Sequence, residues 1–465
     1  MDKNTFRLKV IKFKEYLPYY KRNLKVALPV MLTQLGASLV GLFDSMMVGH
    51  YATVDLAAVS FANALFFMAM VFAMGALMAI TPLVGIQMGE MNIMPENNAD
   101  IRQKIAVLFQ NGMLFTMLQS ALMLILLAGC IPFLSYFGQE PEVIEVARPY
   151  YILIVVSLVP FLVFTFFKQF LEGLGNTLVA MIITLAMNGL NILLNWIFIY
   201  GHWGAEAMGA TGAGIGSLIS RVGMALCFGL AMWFHKDWKY YIQTFSWRNF
   251  SWSEIKQQIK LGFPIGAQTF LETFTFAASF VIIGWISKEA LAAHQVANQI
   301  ADMTFMIALG VGAATTIRVS HQLGEKNIVG VRMASNASIH LVLVINTIGA
   351  ALMIGLRHYI PMLFTEDQEV IAIASKLIVI AGLFQYADGL QAVGAAMLRG
   401  ITDVKVPMLI AFVSYILVGL SVGLICAFPL QQGASGIWIG FIFGLSLAAI
   451  CFHIRFRRLM RNINK

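Results

Sequence analysis

Between Val26 and Gly49 the chain reads VALPVMLTQLGASLVGLFDSMMVG, twenty-four residues with a single charge, Asp44. A run of that length and polarity predicts a helix across a bilayer, because about 20 apolar residues cover the roughly 30 Å hydrocarbon core. Eleven further runs of the same kind follow. Spans are therefore predicted near 26–49, 57–83, 105–129, 147–170, 177–200, 208–234, 259–286, 290–317, 334–356, 371–397, 406–428 and 434–454. Each is too long for a barrel strand, and a helix satisfies its own backbone hydrogen bonds in lipid. The expected fold class is an all-α integral membrane protein with twelve transmembrane helices.

Composition agrees with the pattern. Of 465 residues, 59% are hydrophobic and 12% charged, about half the charge that soluble domains carry. The net charge of +8 would suit nucleic acid if it were clustered on a surface, but its placement points elsewhere. With the N-terminus taken as cytoplasmic, 26 of the 31 Lys and Arg fall in inside segments. Only Arg148, Lys288, Arg357 and Lys376 fall outside, and Arg221 lies within the sixth span. That asymmetry predicts cytoplasmic termini, argues against a nucleic-acid partner and leaves membrane lipids as the surroundings. The N-terminal stretch MDKNTFRLKVIKFKEYLPYYKRNLK is basic without a short apolar core or cleavage site, unlike a signal peptide. Cys130, Cys227, Cys426 and Cys451 have no paired spacing and are expected to be reduced packing residues.

The pattern repeats. Residues 24–92 laid on 259–327, an offset of 235 without gaps, match at 18 of 69 positions, among them Pro29 with Pro264, Gly75 with Gly310, and QMGEMN with QLGEKN. LEGLGN at 171–176 answers LRGITD at 398–403, and GATGAGIG at 209–216 answers GASGIWIG at 433–440. Six spans per half return the chain to the same side, so the repeat is parallel, with a pseudo-two-fold axis along the membrane normal. Two six-helix lobes are expected, 1–240 and 241–465, meeting at a central cleft and joined by the polar stretch 235–258. Such lobes can rock to open the cleft to alternate sides.

Acids inside apolar spans mark candidate sites, since charge there is costly. They are Asp44, Glu272, Asp302 and Asp388. Asp44 has no basic residue in its span; it is either a packing acid held by neighbouring helices or a carboxylate that exchanges a proton or cation in an internal cavity. Glu272 and Asp388 lie near mid-span in the second half, where two carboxylates could hold Na⁺ or share a proton. Gln295, Asn298, Gln299 and Asp302 share one face of the eighth span, suited to a cleft or to hydrogen bonds between helices. Lys168 and Glu172 are spaced as an i, i+4 pair, and Arg221 is left to snorkel or pair. Under the 235 offset Asp44 answers Ser279, Glu272 answers Ala37 and Asp302 answers Phe67; under the 227 offset Asp388 answers Phe161. The scaffold repeats and the acids do not.

PVMLTQLGASLVGLFDSMMVGHY, the AAHQVANQ run at 292–299, NILLNWIFIYG at 191–201 and the AAMLRG run at 395–400 together resemble the multidrug and toxic compound extrusion (MATE) family, with the bacterial NorM-like branch looking closest. The resemblance covers nearly the whole chain. It implies a secondary active antiporter in the bacterial cytoplasmic membrane, exporting cationic, amphiphilic drugs against Na⁺ or H⁺ with no other cofactor and no ATP, as a functional monomer. Asp44 matches the family's first-helix acid, and Asn191 and Asn195 match the fifth-helix asparagines that face it. Glu272 and Asp388 match the cation-site carboxylates of the second lobe. Two positions depart from the pattern: Phe384 stands where a Tyr is expected, keeping a ring face for a cation–π contact, and Asp302 where a small polar residue is expected.

A lipid-linked oligosaccharide flippase of the same superfamily is the alternative. It would carry anionic substrates, whereas the mid-span charges here are mostly acidic. No H-E-x-x-H, G-x-x-x-x-G-K or G-x-S-x-G pattern occurs, so neither an enzyme nor an ATP-driven pump is expected. The 35 Phe and 27 Met would suit an adaptable apolar cleft, although lipid-facing and core packing account for most of them.

Overall fold

The computed structural model describes residues 13–462, so the first twelve residues of the basic tail lie outside it. Among the described residues twelve helices are long and apolar enough to cross a membrane, and none forms a strand. They comprise α1 (Phe13–Tyr51), a second span broken into α2 (Thr53–Leu77) and α3 (Ile80–Ile93), α4 (Asn98–Gly129), α5 (Pro141–Gly173), α6 (Thr177–Tyr200) and α7 (Gly209–Phe234). A short α8 (Lys239–Gln243) follows in the connecting stretch. The second half holds α9 (Trp252–Gly284), α10 (Lys288–Gly324), α11 (Ile328–Gly355) and α12 (Gln368–Gly400), then a span made of α13 (Lys405–Ala411), a π-helical segment (Phe412–Leu420) and α14 (Ser421–Ala427), and last α15 (Ala434–Asn462).

Equivalent residues do equivalent work in the two halves. Thr81 donates to the Gln169 carbonyl at 3.0 Å and its counterpart Thr316 donates to the Ala396 carbonyl at 3.1 Å. The turn after α5 takes a left-handed residue at Gly175 (φ +86°), and the matching turn after α12 forces the same region on Thr402 (φ +60°), which an L side chain adopts only under constraint.

The halves meet along a seam that follows the repeat. Gly75 on α2 packs on Gly266 of α9, and its counterpart Gly310 on α10 packs on Met31 of α1, the residue equivalent to Gly266. On the axis itself Gly89 and Gly324 face each other; a Cβ on either would come within 2.9 Å of the other's Cα. Small residues let the backbones approach this closely, the usual device where lipid removes the hydrophobic drive between helices. Hydrogen bonds across the seam join Tyr20 to His340 (2.7 Å), Asn23 to Ser338 (2.9 Å), Asn92 to Glu325 (3.0 Å) and His321 to the Gly173 carbonyl (2.8 Å). All lie at one end of the bundle, which also holds both termini, since Tyr16 packs on Met333 and Arg332 donates to the Met460 carbonyl. Among the described residues no hydrogen bond crosses between the halves at the opposite end.

The connecting stretch is tied to the first half. Gln110 donates to the Ser246 carbonyl, Asn111 donates to the Asn249 carbonyl and accepts from the Ser251 amide, and Tyr240 bonds Gln103. These contacts tie residues 240–251 to α4 of the first half.

Candidate functional site

In the first half, α1 and α6 pack side by side and bring Asp44 against a ladder of amides. Asn188, Asn191 and Asn195 recur at helical spacing on the buried face of α6, where polar groups need partners from a neighbouring helix. Asn195 Nδ2 donates to Asp44 Oδ1 at 2.5 Å and lies 3.5 Å from Asn191 Oδ1. Asp44 thus has Asn195 as its direct partner, with Asn191 behind it.

Asp44 borders a cavity of about 400 Å³ whose wall includes Asn63, Phe66, Tyr150, Ser217 and Arg221. Tyr150 donates its hydroxyl to Asn63 Oδ1 at 3.2 Å. Arg221, on α7, donates through Nη1 to Ser157 Oγ at 2.7 Å and lies over the rings of Phe66 (5.3 Å) and Phe161 (5.2 Å). The arginine left open by the sequence therefore lines the same cavity as the acid.

In the second half Glu272 and Asp388 meet through a residue that the sequence pattern did not single out. Gln391 Nε2 donates to Glu272 Oε1 at 2.7 Å and lies 3.5 Å from Asp388 Oδ1. The Tyr415 hydroxyl donates to Gln391 Oε1 at 2.7 Å, which fixes the orientation of the amide. Gln391 follows Asp388 by three residues, a spacing that puts both on one helical face, so that signal was available. Tyr415 carried none, because it stands alone in an apolar span. It reaches inward from the π-helical segment, and both it and Glu272 border a small void closed by Phe276 and Phe441. Glu272 also lies within electrostatic reach of Arg399.

Asp302 accepts from Asn298 Nδ2 at 3.0 Å on α10 and lies within electrostatic reach of Asp388. Gln295 is exposed on the same face, whereas Ala293, His294, Val296, Ala297 and Ala301 are buried on the others; the polar stripe is the open side of this helix. Phe384 is 1% exposed. It packs edge-on against Phe276 at 6.0 Å and Trp438 at 5.4 Å, so the ring face expected to meet a cation is spent on other rings. Lys168 and Glu172 approach to 3.9 Å as an end-of-helix pair, and all four cysteines are free. Among the described residues no three His, Cys, Asp or Glu side chains gather closely enough to hold a metal ion.

Known proteins share this architecture. A family model described as MatE matches residues 29–197 and 264–425, the same two blocks that the repeat delineates. A probable multidrug resistance protein NorM of Rhizobium meliloti is 31% identical over 452 residues, covering 96% of this chain and 95% of that one. The multidrug resistance protein NorM of Photobacterium profundum is 32% identical over 441 residues, covering 94% and 95%. Among solved structures, one described as the outward-facing conformation of a multidrug resistance MATE family transporter of the MOP superfamily superposes with a TM-score of 0.85 at 20% identity, covering 96% and 97%. At that identity the superposition speaks for the fold. The family match spans both halves, and the chain belongs to the MATE family of multi-pass membrane transporters, not to the enzymes.

Proposed function

We propose that this chain is a multidrug exporter of the bacterial cytoplasmic membrane, with both termini in the cytoplasm, that antiports cationic amphiphilic drugs against Na⁺ or H⁺ by alternating access. One observation carries the reading: each half holds a carboxylate site, Asp44 with Asn195 in one and Glu272 with Asp388 in the other, while the hydrogen bonds that join the halves gather at one end of the seam. With the termini inside, the bonded end faces the cytoplasm and the arrangement corresponds to an outward-open state. Coupling ion or drug would alternately satisfy the buried charge, since a carboxylate in a poorly solvated cavity favours whichever cation reaches it. Glu272, Asp388, Gln391 and Tyr415 supply oxygen atoms of the kind a hard cation such as Na⁺ prefers. An apolar cavity of about 600 Å³ between α2 and α9, lined by residues such as Phe72, Phe270 and Leu271, suits the hydrophobic part of a drug. Lobes of residues 1–240 and 241–465 working within one monomer are sufficient for the cycle.

The test is drug efflux from proteoliposomes with Na⁺ and pH gradients imposed separately. Efflux is expected under at least one gradient and none without. If H⁺ is the coupling ion, the drug leaves faster when the compartment it enters is the more acidic, and a Na⁺ gradient alone does nothing; Na⁺ coupling gives the converse. Asp44→Asn should abolish efflux while the protein stays folded in the membrane. Normal drug transport by that variant would overturn the assignment of Asp44.

A further inference from the structure

At the end of the bundle that holds both termini, a cavity of about 400 Å³ lies between the halves. Its walls come from α3 of the first half and from α9 and the turn before α13 of the second. Two lysines, Lys260 and Lys405, stand in its wall and are exposed. The ion pairs among the described residues are Lys168–Glu172, Lys288–Glu289 and Arg455–Asp403, so neither lysine belongs to one. The acid in the same wall, Asp403, is already taken, because Arg455 donates to its two oxygens at 2.8 and 3.4 Å. Gln87 adds an amide whose buried Oε1 has no hydrogen-bond partner. Cations without a counter-charge, beside an acceptor without a donor, describe a site for an anion that also carries hydroxyl groups.

Beyond the lysines the same helix faces turn apolar. Lys405 is followed at helical spacing by Met408, Leu409 and Phe412, and Lys260 by Ala267, Phe270 and Leu271. These residues line the apolar cavity of about 600 Å³ already described, so the two cavities form one gutter, basic at the end of the bundle and apolar along the spans. Its edge is open: Leu409 and Phe412 are 57% and 44% exposed, and Ile259 and Phe263 beside the lysines are exposed as well. Charge at the membrane interface with apolar surface running inward from it is the division found in a phospholipid.

The repeat shows that the scaffold does not demand this arrangement. Under the 235 offset Ile86 answers His321, and under the 227 offset Thr402 answers Gly175 and Lys405 answers Leu178. At the related position His321 fills the space against the turn. Its Nε2 bonds the Gly173 carbonyl at 2.8 Å, and a Cβ on Gly175 would lie 3.2 Å from its Cε1. Ile86 has no polar end to make that bond. Thr402 instead holds φ +60° and sets a side chain in the cavity wall where Gly175 has none. The open space, the hydroxyl and the second lysine thus occur together on one side of the axis and are absent from the other.

We propose that this gutter binds one anionic phospholipid at the seam. The headgroup phosphate sits between Lys260 and Lys405, a headgroup hydroxyl donates to Gln87 Oε1, and one acyl chain lies along Leu409 and Phe412 at the open edge of the apolar cavity. Lysine suits this task, since it meets a phosphate as a point charge on a flexible stem and needs no paired geometry. Basic pockets between spans at the charged end of a bundle are matched to such headgroups. The site is independent of both carboxylate sites and of the ion that drives transport.

The test is native mass spectrometry of the purified full-length chain in detergent, titrated with phosphatidylglycerol or with phosphatidylcholine of the same acyl chains. The wild-type protein should bind its first phosphatidylglycerol roughly ten-fold more tightly than its first phosphatidylcholine, the scale set by two lysines on one anionic lipid. Equal affinity for the two lipids would overturn the proposal, and this comparison needs no variant. Lys260→Gln combined with Lys405→Gln should remove the preference and leave phosphatidylcholine bound as before. Lys256→Gln should keep it, because Lys256 is exposed one turn earlier on α9 and lies outside the cavity wall. A preference that survives in the double variant, or that falls equally in Lys256→Gln, would overturn the site and trace the binding to the general basic charge of this end. Inorganic phosphate at the same concentration should leave the lipid in place. Displacement of the lipid by phosphate would overturn the role of the acyl chain and make the cavity a site for a soluble anion.

Discussion

At the scale of single residues, the two carboxylate sites differ in how they are held. Asp44 leans on one amide, and that amide was legible, because Asn191 and Asn195 repeat on the same helical face within a recognisable motif. The second site depends on Tyr415 orienting Gln391, which in turn bonds Glu272 and lies close to Asp388. No spacing in the chain relates residues 272, 391 and 415, and only the packing of three helices brings them together. Tyr415→Phe keeps the ring and deletes the hydroxyl, so the Gln391 amide loses the donor that sets its direction. A neutral hydrogen bond is worth about 0.5–1.5 kcal/mol, so the ion concentration that half-saturates efflux should rise about two- to ten-fold. Drug affinity measured in the absence of the ion should hardly move. An unchanged ion requirement in proteoliposome efflux would remove Tyr415 from the site.

At the scale of elements, Tyr415 reaches the acids because its helix is not α-helical there. The segment Phe412–Leu420 has the wider π winding, which is frequent at functional positions. Its shape is set from outside by the ridge GIWIGFIFG on α15. Gly436 meets Ala427, Gly440 meets Gly423, and a Cβ on Gly444 would lie 2.7 Å from the Ser414 carbonyl oxygen and 2.9 Å from the Gly419 Cα. The sequence marked this stretch only as the counterpart of GATGAGIG; neither the glycine ridge nor the π winding was read from it, since both show in how two helices share space. The same limit explains Phe384, whose ring was expected to meet a cation and instead completes an aromatic cluster with Phe276, Trp438 and Phe441. Gly444→Ala would push the π segment away by a few tenths of an ångström and draw Tyr415 from Gln391. Overpacking of this kind costs about 1–3 kcal/mol. The ion requirement of efflux should therefore rise, with binding at the Asp44 cavity intact. A loss of thermal stability with no change in ion requirement would mean that the ridge only packs.

At the scale of the whole molecule, the repeat explains both what was readable and how the cycle is built. Twelve spans, two halves and the glycine positions followed from patterns at fixed offsets, because each half must satisfy the same lipid on its own. What the two halves do to one another was not readable, as no single half contains it. The seam joins equivalent surfaces, Gly75 on Gly266 and Gly310 on Met31, with Gly89 and Gly324 on the axis, so parting it at the terminal end exposes related faces of both lobes. Its bonds there are few and polar, and Asn92 to Glu325 at 3.0 Å is an exposed one. A rocking cycle must break this contact on every turn. Asn92→Cys combined with Glu325→Cys and bridged by a short bis-maleimide should therefore stop efflux. Ligand entering from the opposite side should still bind, because neither carboxylate site lies at this end. Each single variant treated with the same reagent controls for the four native cysteines and should keep turning over. Transport at the normal rate by the bridged protein would mean that the halves do not separate here, and alternating access would then have to come from movements within one lobe.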